Sequence, residues 1–446
     1  MSKGRYRKIS ITIYDQTILN VEDAPSKFLG MQLSLTQTFK EKAAIATKAI
    51  TDIMQPLDDA ALPNRDKVLI YKNFAIPKMR WILMVQDVLP TALQNLTALT
   101  ESHIKKWWHL PRSTSRDAMR QLTGIPSLSD IAGQMQVTKY SIAQNSTDSL
   151  VSGVLATRSR NGHRPLRRLL KVFGGSIPTP RTTAMATLKK NQQDELRTKV
   201  AKLLVQGAWS KLGATLDADR QWRSTMWSLP PAVQQFASKA ALDVLPTRAN
   251  LLRWKVGCDS ACQHCGVKET LHHVLNHCQH LLNSGAYTWR HNSILQHLLP
   301  HIQSQHPHSN IQVDLPGSTY QLPFSCDTAW RPDIVILHPD SKIDFVELTV
   351  PFEANFAAAH ERKTTKYGTL MQQAKAEGLM PRLHCIEMGS RGLPSKAWHT
   401  WISGFPRHRQ ITKQCAAIAL QASQAIWLHR ATAWPNPPLL PFTSQQ

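Results

Sequence analysis

Four of the seven cysteines in this 446-residue chain fall within 21 residues, at Cys258, Cys262, Cys265 and Cys278. A Cys262-x2-Cys265 turn brings two thiolates to one tetrahedral ion, and a His273-x4-Cys278 pair supplies two further ligands. Such a cluster in a chain of this length is typical of a metal site in a reducing compartment, and seven cysteines are too few for a disulfide scaffold. We therefore predict a closed Cys3His zinc site, which holds a small module together and leaves no open position for chemistry.

Other side chains compete for the same ion. Cys258-x3-Cys262 is an alternative first pair, His272 is an alternative third ligand, and His277 is a further rival. Gly266 follows the second cysteine of the turn and suits a backbone position with positive φ. The alternative to a metal site is a set of reduced structural cysteines beside surface histidines, which a chain with 19 histidines also allows.

The charge of the chain indicates what it binds. Lys and Arg number 53 against 30 Asp and Glu, a formal charge of +23, and the commonest partner of a large basic protein is a polyanion. Residues 158–211 hold thirteen Lys and Arg against two acids, so the basic charge is concentrated there. Lys105 and Lys106 stand beside Trp107 and Trp108, where we expect the lysines to contact a nucleic-acid backbone and the tryptophans to face a core. Within the basic stretch the predicted nucleic-acid-binding residues are Arg158, Arg160, Arg164, Arg167, Arg168 and Lys171. A nuclear-import signal and a solvated charged loop are the alternatives for this run.

Two other classes of protein fit the composition poorly. Hydrophobic residues make up 42% of the chain, enough to build cores, so the chain as a whole is not disordered. No apolar run approaches the roughly 18–20 residues that span a bilayer, and the first 15 residues lack the apolar core of a signal peptide. We found no phosphate-binding glycine loop and no dinucleotide fingerprint, and we expect no membrane partner and no small-molecule substrate.

The N-terminal half is predicted to be mostly helical. Residues 9–14 alternate apolar and polar side chains, which predicts a half-buried strand, and a second short strand or turn follows at 27–33. From Phe39 the apolar residues recur at helical spacing. Further helices are predicted at 65–76 and 79–100, with Pro63 and Pro77 as breaks, and through most of 126–250.

The C-terminal part carries strand patterns followed by helical ones. Residues 286–320 are rich in His and Gln with weak periodicity, which we interpret as a linker followed by a strand. The predicted strands are 333–337, 343–350 and one near 382–388, and the predicted helices are 353–378 and 408–432. This order predicts a compact α/β domain.

Two carboxylates stand at the ends of neighbouring predicted strands. Asp333 begins one strand and Glu347 lies near the end of the next, so in a hairpin they converge and can bind a hard cation such as Mg²⁺. Such an ion lowers the pKa of a bound water and neutralises charge on a scissile phosphate, which points to a nuclease. Each residue has an ordinary structural alternative, as a turn Asp or a strand Glu. Glu353 is either an extra ligand or a charge at a helix N-terminus.

A lysine completes this kind of site. In the common restriction-type arrangement it follows the second acid by two positions, but that position is Thr349 here. Lys363 and Lys366 of the next helix are three residues apart and lie near one face, so either can take the role.

These motifs together resemble a known family. The runs are LPTRANLLRW (245–254), CxxC…HHVLNHC, RPDIVIL…DFVELTVPFEANF and HERKTTKY, and in this order they resemble the C-terminal part of non-LTR retrotransposon proteins with a restriction-like endonuclease. The resemblance implies that Asp333 and Glu347 are the catalytic acids and that Lys363 or Lys366 is the displaced lysine, with Tyr367 nearby. It also implies that Cys262, Cys265, His273 and Cys278 form a zinc knuckle.

The resemblance implies both an activity and a domain order. The endonuclease would nick target DNA in the nucleus, and the freed 3′ end would prime copying of the element RNA. The implied segments are a reverse-transcriptase palm remnant (1–35), a helical thumb-like subdomain (36–125), a basic helical linker (126–250), the zinc knuckle (251–285) and a restriction-endonuclease-like α/β domain (300–446).

Polymerase activity is not expected from the chain. A polymerase needs a pair of aspartates on a palm hairpin to bind two metal ions. The adjacent pair Asp58-Asp59 follows a helix instead, and we interpret it as an N-cap and first-turn charge of the next segment. The chain therefore resembles a truncated copy of such an element.

Overall fold

The computed structural model describes residues 11–13, 15–18, 26–28, 31–33, 37–151, 169–212, 216–257, 259–324 and 330–440. The chain divides into two compact units, Met1–Arg112 with Gly124–Thr198 and Ser113–Thr123 with Lys199–Gln446. The described residues are mostly helical, with a four-stranded mixed sheet in the second unit. The predicted mixture of helical and α/β structure is confirmed at this level, whereas the five predicted segment boundaries stay predictions.

Two short hairpins come first in the chain. Strand β1 (Ile11–Ile13) pairs antiparallel with β2 (Gln16–Ile18), and β3 (Ser26–Phe28) pairs antiparallel with β4 (Met31–Leu33). The strand predicted at 9–14 is thus confirmed for its described residues.

The first unit is helical after these hairpins. Its helices are α1 (Phe39–Asp59), α2 (Asn64–Ile70), α3 (Ile76–Val85), α4 (Pro90–Trp107), α6 (Leu128–Gln144) and α7 (Arg181–Ala201), while α5 (Arg116–Thr123) belongs to the second unit. Helix α1 begins with a capping box, in which Thr38 Oγ1 accepts from Glu41 N (3.3 Å) and Glu41 Oε2 accepts from Thr38 N (2.7 Å). Its buried face carries Ile50 and Met54, as the helical spacing predicts.

The break predicted at Pro77 is wrong. A π-helical turn (Tyr71–Ala75) joins α2 to α3, and Pro77 lies in the first turn of α3. Because proline has no N–H and its ring crowds the preceding turn, a wider π turn just before it lets the helix continue. The helix ends at Val85 instead, and Pro90 begins α4, where the missing N–H costs nothing.

The sheet of the second unit has the order β5–β6–β7–β8, with β5, β6 and β7 antiparallel and β8 parallel to β7. Its strands are β5 (Asn310–Val313), β6 (Ile334–Leu337), β7 (Lys342–Thr349) and β8 (Met380–Glu387). Its helices are α8 (Ala208–Lys211), α9 (Leu216–Trp227), α10 (Pro231–Ala241), α11 (Arg248–Arg253), α12 (Gln279–Asn283), α13 (Ala286–Gln305), α14 (Phe356–Lys366), α15 (Gly368–Ala376), α16 (Lys396–Ile402) and α17 (His408–Leu428). The predicted hairpin of β6 and β7 is confirmed.

The linker predicted from residue 286 is wrong. Residues 286–305 form the twenty-residue helix α13, and only the strand that follows it, β5, was anticipated. Ile294, Leu295, Leu298 and Ile302 are fully buried on one side of α13 in the core against β6, β7 and α17. The His and Gln residues between them weaken the apolar contrast on which the prediction depended. The domain start predicted at residue 300 therefore falls inside a helix.

Of the described helices, none combines the length and the apolar character that a membrane span requires.

Candidate functional site

The two cysteines of the CxxC motif lie on a tight turn. Cys262 N donates to Val267 O (2.7 Å) and Gly266 N donates to Cys262 O (2.9 Å), which closes the turn between them. Gly266 has φ +71°, a conformation that favours glycine, as predicted. This backbone turns both thiols to the same side.

The other two predicted ligands come from the segment that follows. His273 begins a π-helical turn (His273–His277), and Cys278 comes directly after it. One ligand atom from each of Cys262, Cys265, His273 and Cys278 lies within 4.8 Å of the others. The Cys262 and Cys278 sulfurs are 4.0 Å apart, and Cys265 Sγ is 3.3 Å from His273 Nε2.

These distances and groups fit a tetrahedral zinc ion. With Zn–S bonds of about 2.3 Å, two sulfurs on a tetrahedral ion are about 3.8 Å apart. Burial lowers the pKa of His273, which keeps the imidazole neutral and able to bind metal through Nε2. Burial raises the pKa of Cys278 to about 11, so a bound cation is what would hold its sulfur as a thiolate. The four residues therefore fit a structural zinc site.

The rival ligands lie elsewhere. His272 Nε2 is 3.1 Å from Asn355 Nδ2, and its ring packs on those of His277 and Phe352. His277 is exposed. Cys258 lies outside the described residues. Of these alternatives, neither histidine joins the group of four.

The module is packed against the end of the sheet. Tyr287 Oη accepts from Cys278 N (3.0 Å) and donates to Val274 O (2.9 Å). These two hydrogen bonds fix the backbone of the segment that carries His273 and Cys278. Asn276 Nδ2 donates to Val350 O (2.8 Å), directly after β7. The segment between two of the candidate ligands thus contacts the residue that follows the strand carrying Glu347.

The two predicted catalytic acids meet at the open end of the β6–β7 hairpin. Ile334 pairs with Val346, which brings the preceding Asp333 beside Glu347. Asp333 N donates to Glu347 Oε2 (3.3 Å), and Leu348 N donates to Asp333 Oδ2 (2.7 Å). The Glu347 side chain is only 3% exposed and that of Asp333 14%. The strands therefore hold two largely buried carboxylates next to each other.

Of the two candidate lysines, the structure brings Lys363 to this site. Lys363 Nζ donates to Glu347 Oε1, and Tyr367 Oη, one helical turn later, donates to Glu347 Oε2 (2.8 Å). Lys366 Nζ instead lies 3.2 Å from Tyr367 Oη and 4.7 Å from the centre of its ring. Thr349 occupies the position of the usual lysine, and its hydroxyl is buried without a hydrogen-bond partner among the described residues.

The electrostatics of Glu347 reflect this crowding. Burial and the nearby Asp333 carboxylate raise the pKa of Glu347, against the opposing effect of Lys363. Burial and Glu347 also raise the pKa of Tyr367, so its hydroxyl stays protonated and donates. The Lys363 ammonium group partly offsets the repulsion between these two carboxylates.

Sequence reasoning missed His291 of α13. Its Nε2 lies 3.1 Å from Asp333 Oδ2 and 3.1 Å from Leu348 O. Burial alone would lower the pKa of His291, but the Asp333 carboxylate outweighs it and raises the pKa to about 9. No local pattern marks this histidine, because its partner is 42 residues away and the helix that carries it was interpreted as a linker.

Glu353 lies outside the carboxylate site, in the first turn of a 3₁₀ helix (Glu353–Asn355) directly before α14, which is the second of the two predicted alternatives. Its carboxylate accepts from Arg391 N (2.6 Å) and Arg391 Nε (2.7 Å), and both side chains are almost fully buried. It is one half of an internal ion pair.

The predicted nucleic-acid contacts stay predictions, and the structure describes the surroundings of only some of these residues. Lys106 pairs with Asp58 (2.9 Å), yet its side chain is 65% exposed, and Lys105 Nζ is 3.3 Å from Arg112 O. Trp107 and Trp108 are buried, as predicted. Lys171 is exposed. The residues Arg158, Arg160, Arg164, Arg167 and Arg168 lie outside the described residues.

The predicted N-cap role of the Asp58-Asp59 pair is wrong. Both residues end α1, and the next helix begins at Asn64 after Pro63. Asp58 Oδ1 accepts from Trp107 Nε1 (2.6 Å), a tertiary contact to α4 that sequence spacing cannot reveal.

Comparison with known families matches residues 204–284 to the zinc-binding domain in reverse transcriptase. The match contains all four candidate zinc ligands and begins well before the predicted knuckle, so α8, α9, α10 and α11 belong to the matched segment. Curated proteins give no match to this chain. Together with the Cys3His geometry, the match supports zinc binding and a retrotransposon-type protein.

Proposed function

We propose that this chain is a divalent-cation-dependent DNA endonuclease of retroelement origin, which nicks target DNA for target-primed reverse transcription. The observation that carries the proposal is the pair of adjacent, largely buried carboxylates of Asp333 and Glu347, beside the ammonium of Lys363. The zinc-binding domain in residues 204–284 supports the retroelement origin. The charge of +23 supports a nucleic-acid substrate.

Each residue at the carboxylate site has a separate proposed role. Asp333 and Glu347 would hold Mg²⁺, which when bound supplies a water of lowered pKa and neutralises charge on the scissile phosphate. Lys363 provides a positive charge for the phosphoryl oxygens. Tyr367 fixes Glu347 through its hydrogen bond to Oε2 (2.8 Å). Lys366, which lies on the ring of Tyr367, supports that tyrosine and adds positive charge near the substrate.

The same proposal includes the partners. Target DNA and element RNA would bind through the basic stretch 158–211 and the zinc module, in the nucleus. Polymerase activity is not proposed, because Asp58 of the adjacent aspartate pair is engaged by Lys106 and Trp107.

A second candidate is a zinc-stabilised, nucleic-acid-binding remnant without catalysis. Two observations favour it: Lys363 and Tyr367 already engage both oxygens of Glu347, and threonine stands at position 349 in place of lysine. On this alternative the ion pair is structural, and the chain binds nucleic acid without cutting it.

Plasmid nicking separates the two candidates. The full chain is incubated with supercoiled plasmid and Mg²⁺, beside Asp333→Ala and the matched control Asp340→Ala. Asp340 is an exposed aspartate in the turn of the same hairpin, paired with Lys342. We expect wild type and Asp340→Ala to nick equally and Asp333→Ala to be slower by about 100-fold or more.

Equal nicking by wild type and Asp333→Ala would identify a contaminating nuclease and contradict the endonuclease proposal. Tight, salt-sensitive DNA binding without nicking would favour the non-catalytic alternative.

A further inference from the structure

Helix α13 connects the candidate zinc module to the carboxylate site. It begins at Ala286, after Gly285 with φ +81°, a few residues beyond the last zinc ligand. Two consecutive residues near its start, Arg290 and His291, reach the end of β7. Arg290 Nη2 donates to Val350 O (3.2 Å) and its Nη1 donates to Ser423 Oγ (3.0 Å), while His291 contacts Leu348 O (3.1 Å).

Both ring nitrogens of His291 face acceptors. Nε2 lies between Asp333 Oδ2 and Leu348 O, and Nδ1 is 2.9 Å from Asn292 Oδ1. An N–H on Nε2 donates to Asp333 Oδ2, so the position of the ring makes His291 a side-chain partner of Asp333, just as Lys363 is a partner of Glu347.

The two contacts to Asp333 fall on one oxygen. Oδ2 accepts from Leu348 N (2.7 Å) and from His291 Nε2 (3.1 Å). Two donors on one carboxylate oxygen fix the rotation of the carboxylate group, which sets where Oδ1 points. Among the described residues no hydrogen bond to Oδ1 is present, so Oδ1 remains for an incoming ligand.

We infer that His291 is a positioning residue for Asp333, which holds Oδ2 so that Oδ1 faces the site of the divalent ion. The inference rests on the proposed endonuclease function and adds a residue to it. Arg290 and His291 also hold the end of β7 from a single turn of α13. The residue acts through Asp333 and does not itself touch the phosphate.

Steady-state nicking by His291 variants tests this role. The variants are His291→Ala, His291→Gln, which retains an N–H donor, and the control His301→Ala, on the same helix and outside the carboxylate site. We expect His291→Ala to lower kcat by about 30-fold or more while KM for DNA stays within about twofold, because misplacing a catalytic group affects the chemical step. The kcat of His291→Gln should be at least about threefold higher than that of His291→Ala. His301→Ala should match wild type in both kcat and KM.

A second readout does not depend on activity. Urea unfolding of His291→Ala, Asp333→Ala and the double variant forms a double-mutant cycle. We expect the change in the unfolding equilibrium constant of the double variant to differ by about fivefold or more from the product of the two single changes. The reason is that the two side chains are in contact.

The outcomes separate the two claims. Nicking by His291→Ala at the wild-type kcat, or a purely multiplicative cycle, would overturn the positioning role while leaving the endonuclease proposal intact. A coupled cycle in a wild-type chain that does not nick would support the His291–Asp333 contact and contradict the proposed function alone.

Discussion

Asp58 makes a tertiary contact between two helices, instead of the local helix cap interpreted from the sequence. Its side chain is 6% exposed and accepts hydrogen bonds from Lys106 Nζ (2.9 Å) and Trp107 Nε1 (2.6 Å), with His103 Nδ1 at 3.0 Å. Burial alone would raise the pKa of Asp58, but these hydrogen bonds outweigh it and lower the pKa. The residue holds the end of α1 against α4.

Replacing Asp58 should therefore destabilise the first unit. We expect Asp58→Ala to lower the free energy of unfolding by about 2–3 kcal/mol, since it leaves the buried indole N–H of Trp107 unpaired. Asp59→Ala is the matched control, because Asp59 is exposed, and should change stability by no more than about 0.5 kcal/mol. Urea unfolding of both variants measures the difference, and equal losses would contradict the role of Asp58.

Asp344 of β7 should make stability depend on acid pH. Burial would raise its pKa, but the nearby His384 ring (3.6 Å) and hydrogen bonds from Arg382 and His338 outweigh this and hold the pKa well below the ordinary range. In the unfolded chain the pKa of an aspartate is about 3.9, so at pH values between the two pKa values the unfolded state binds more protons than the folded state. The stabilisation from Asp344 is therefore present near neutral pH and is lost as the pH falls through this range.

The measurement is the free energy of unfolding between about pH 6 and pH 3 for wild type and Asp344→Asn. We expect the decline below about pH 4 to be steeper in wild type, because the variant has no carboxylate to protonate there. Parallel curves would show that Asp344 does not carry the effect.

Among the helices, strands and turns, the sequence predicted those that depend on residues close together in the chain and missed those that depend on distant contacts. The helix from Phe39 and the CxxC turn with Gly266 are encoded by spacing within a few residues, and both were found. Helix α13 was missed because its His and Gln residues weaken the apolar pattern in the sequence. Its apolar side is buried against the sheet, which the local sequence does not reveal. Convergence of Asp333 and Glu347 was predictable from a hairpin, but the contact from His291 required knowing which helix covers that hairpin end.

The internal ion pair between Arg391 and Glu353 joins elements far apart in sequence. Arg391 O accepts from Trp222 Nε1 (2.8 Å) of α9, and Arg391 Nη1 donates to Ala240 O (3.3 Å) of α10. Its guanidinium also stacks on the ring of Phe352 at 4.0 Å. One buried arginine therefore links α9 and α10 of the segment that matches the zinc-binding family to the loop after β8.

Removing this arginine should be costly. We expect Arg391→Ala to lower the free energy of unfolding of the second unit by about 3–5 kcal/mol, because Glu353 is left as a buried, unpaired charge. Arg362→Ala, at an exposed position of α14, serves as the control and should be nearly neutral. Thermal or urea unfolding measures both, and a loss at Arg391 no larger than at Arg362 would contradict this packing role.

For the whole molecule, the charge of +23 gives a direct expectation for nucleic-acid binding. Neutralising several phosphates releases counterions, so affinity for DNA should fall by about 1000-fold between 50 and 200 mM salt if some six phosphates are contacted. Fluorescence anisotropy with a labelled duplex measures the slope. A flat salt dependence would contradict the polyanion argument.

The zinc site is the claim on which the account of the second unit depends, because its four ligands lie in the matched family segment and Asn276, between two of them, contacts the residue after β7. X-ray absorption at the zinc edge of the purified full chain tests it most directly. We expect about one zinc per chain, bound by three sulfurs at about 2.3 Å and one nitrogen, and loss of that zinc in the Cys265→Ser/Cys278→Ser variant. A zinc shell without sulfur, or full zinc content in the double variant, would contradict the ligand set proposed from Cys262, Cys265, His273 and Cys278.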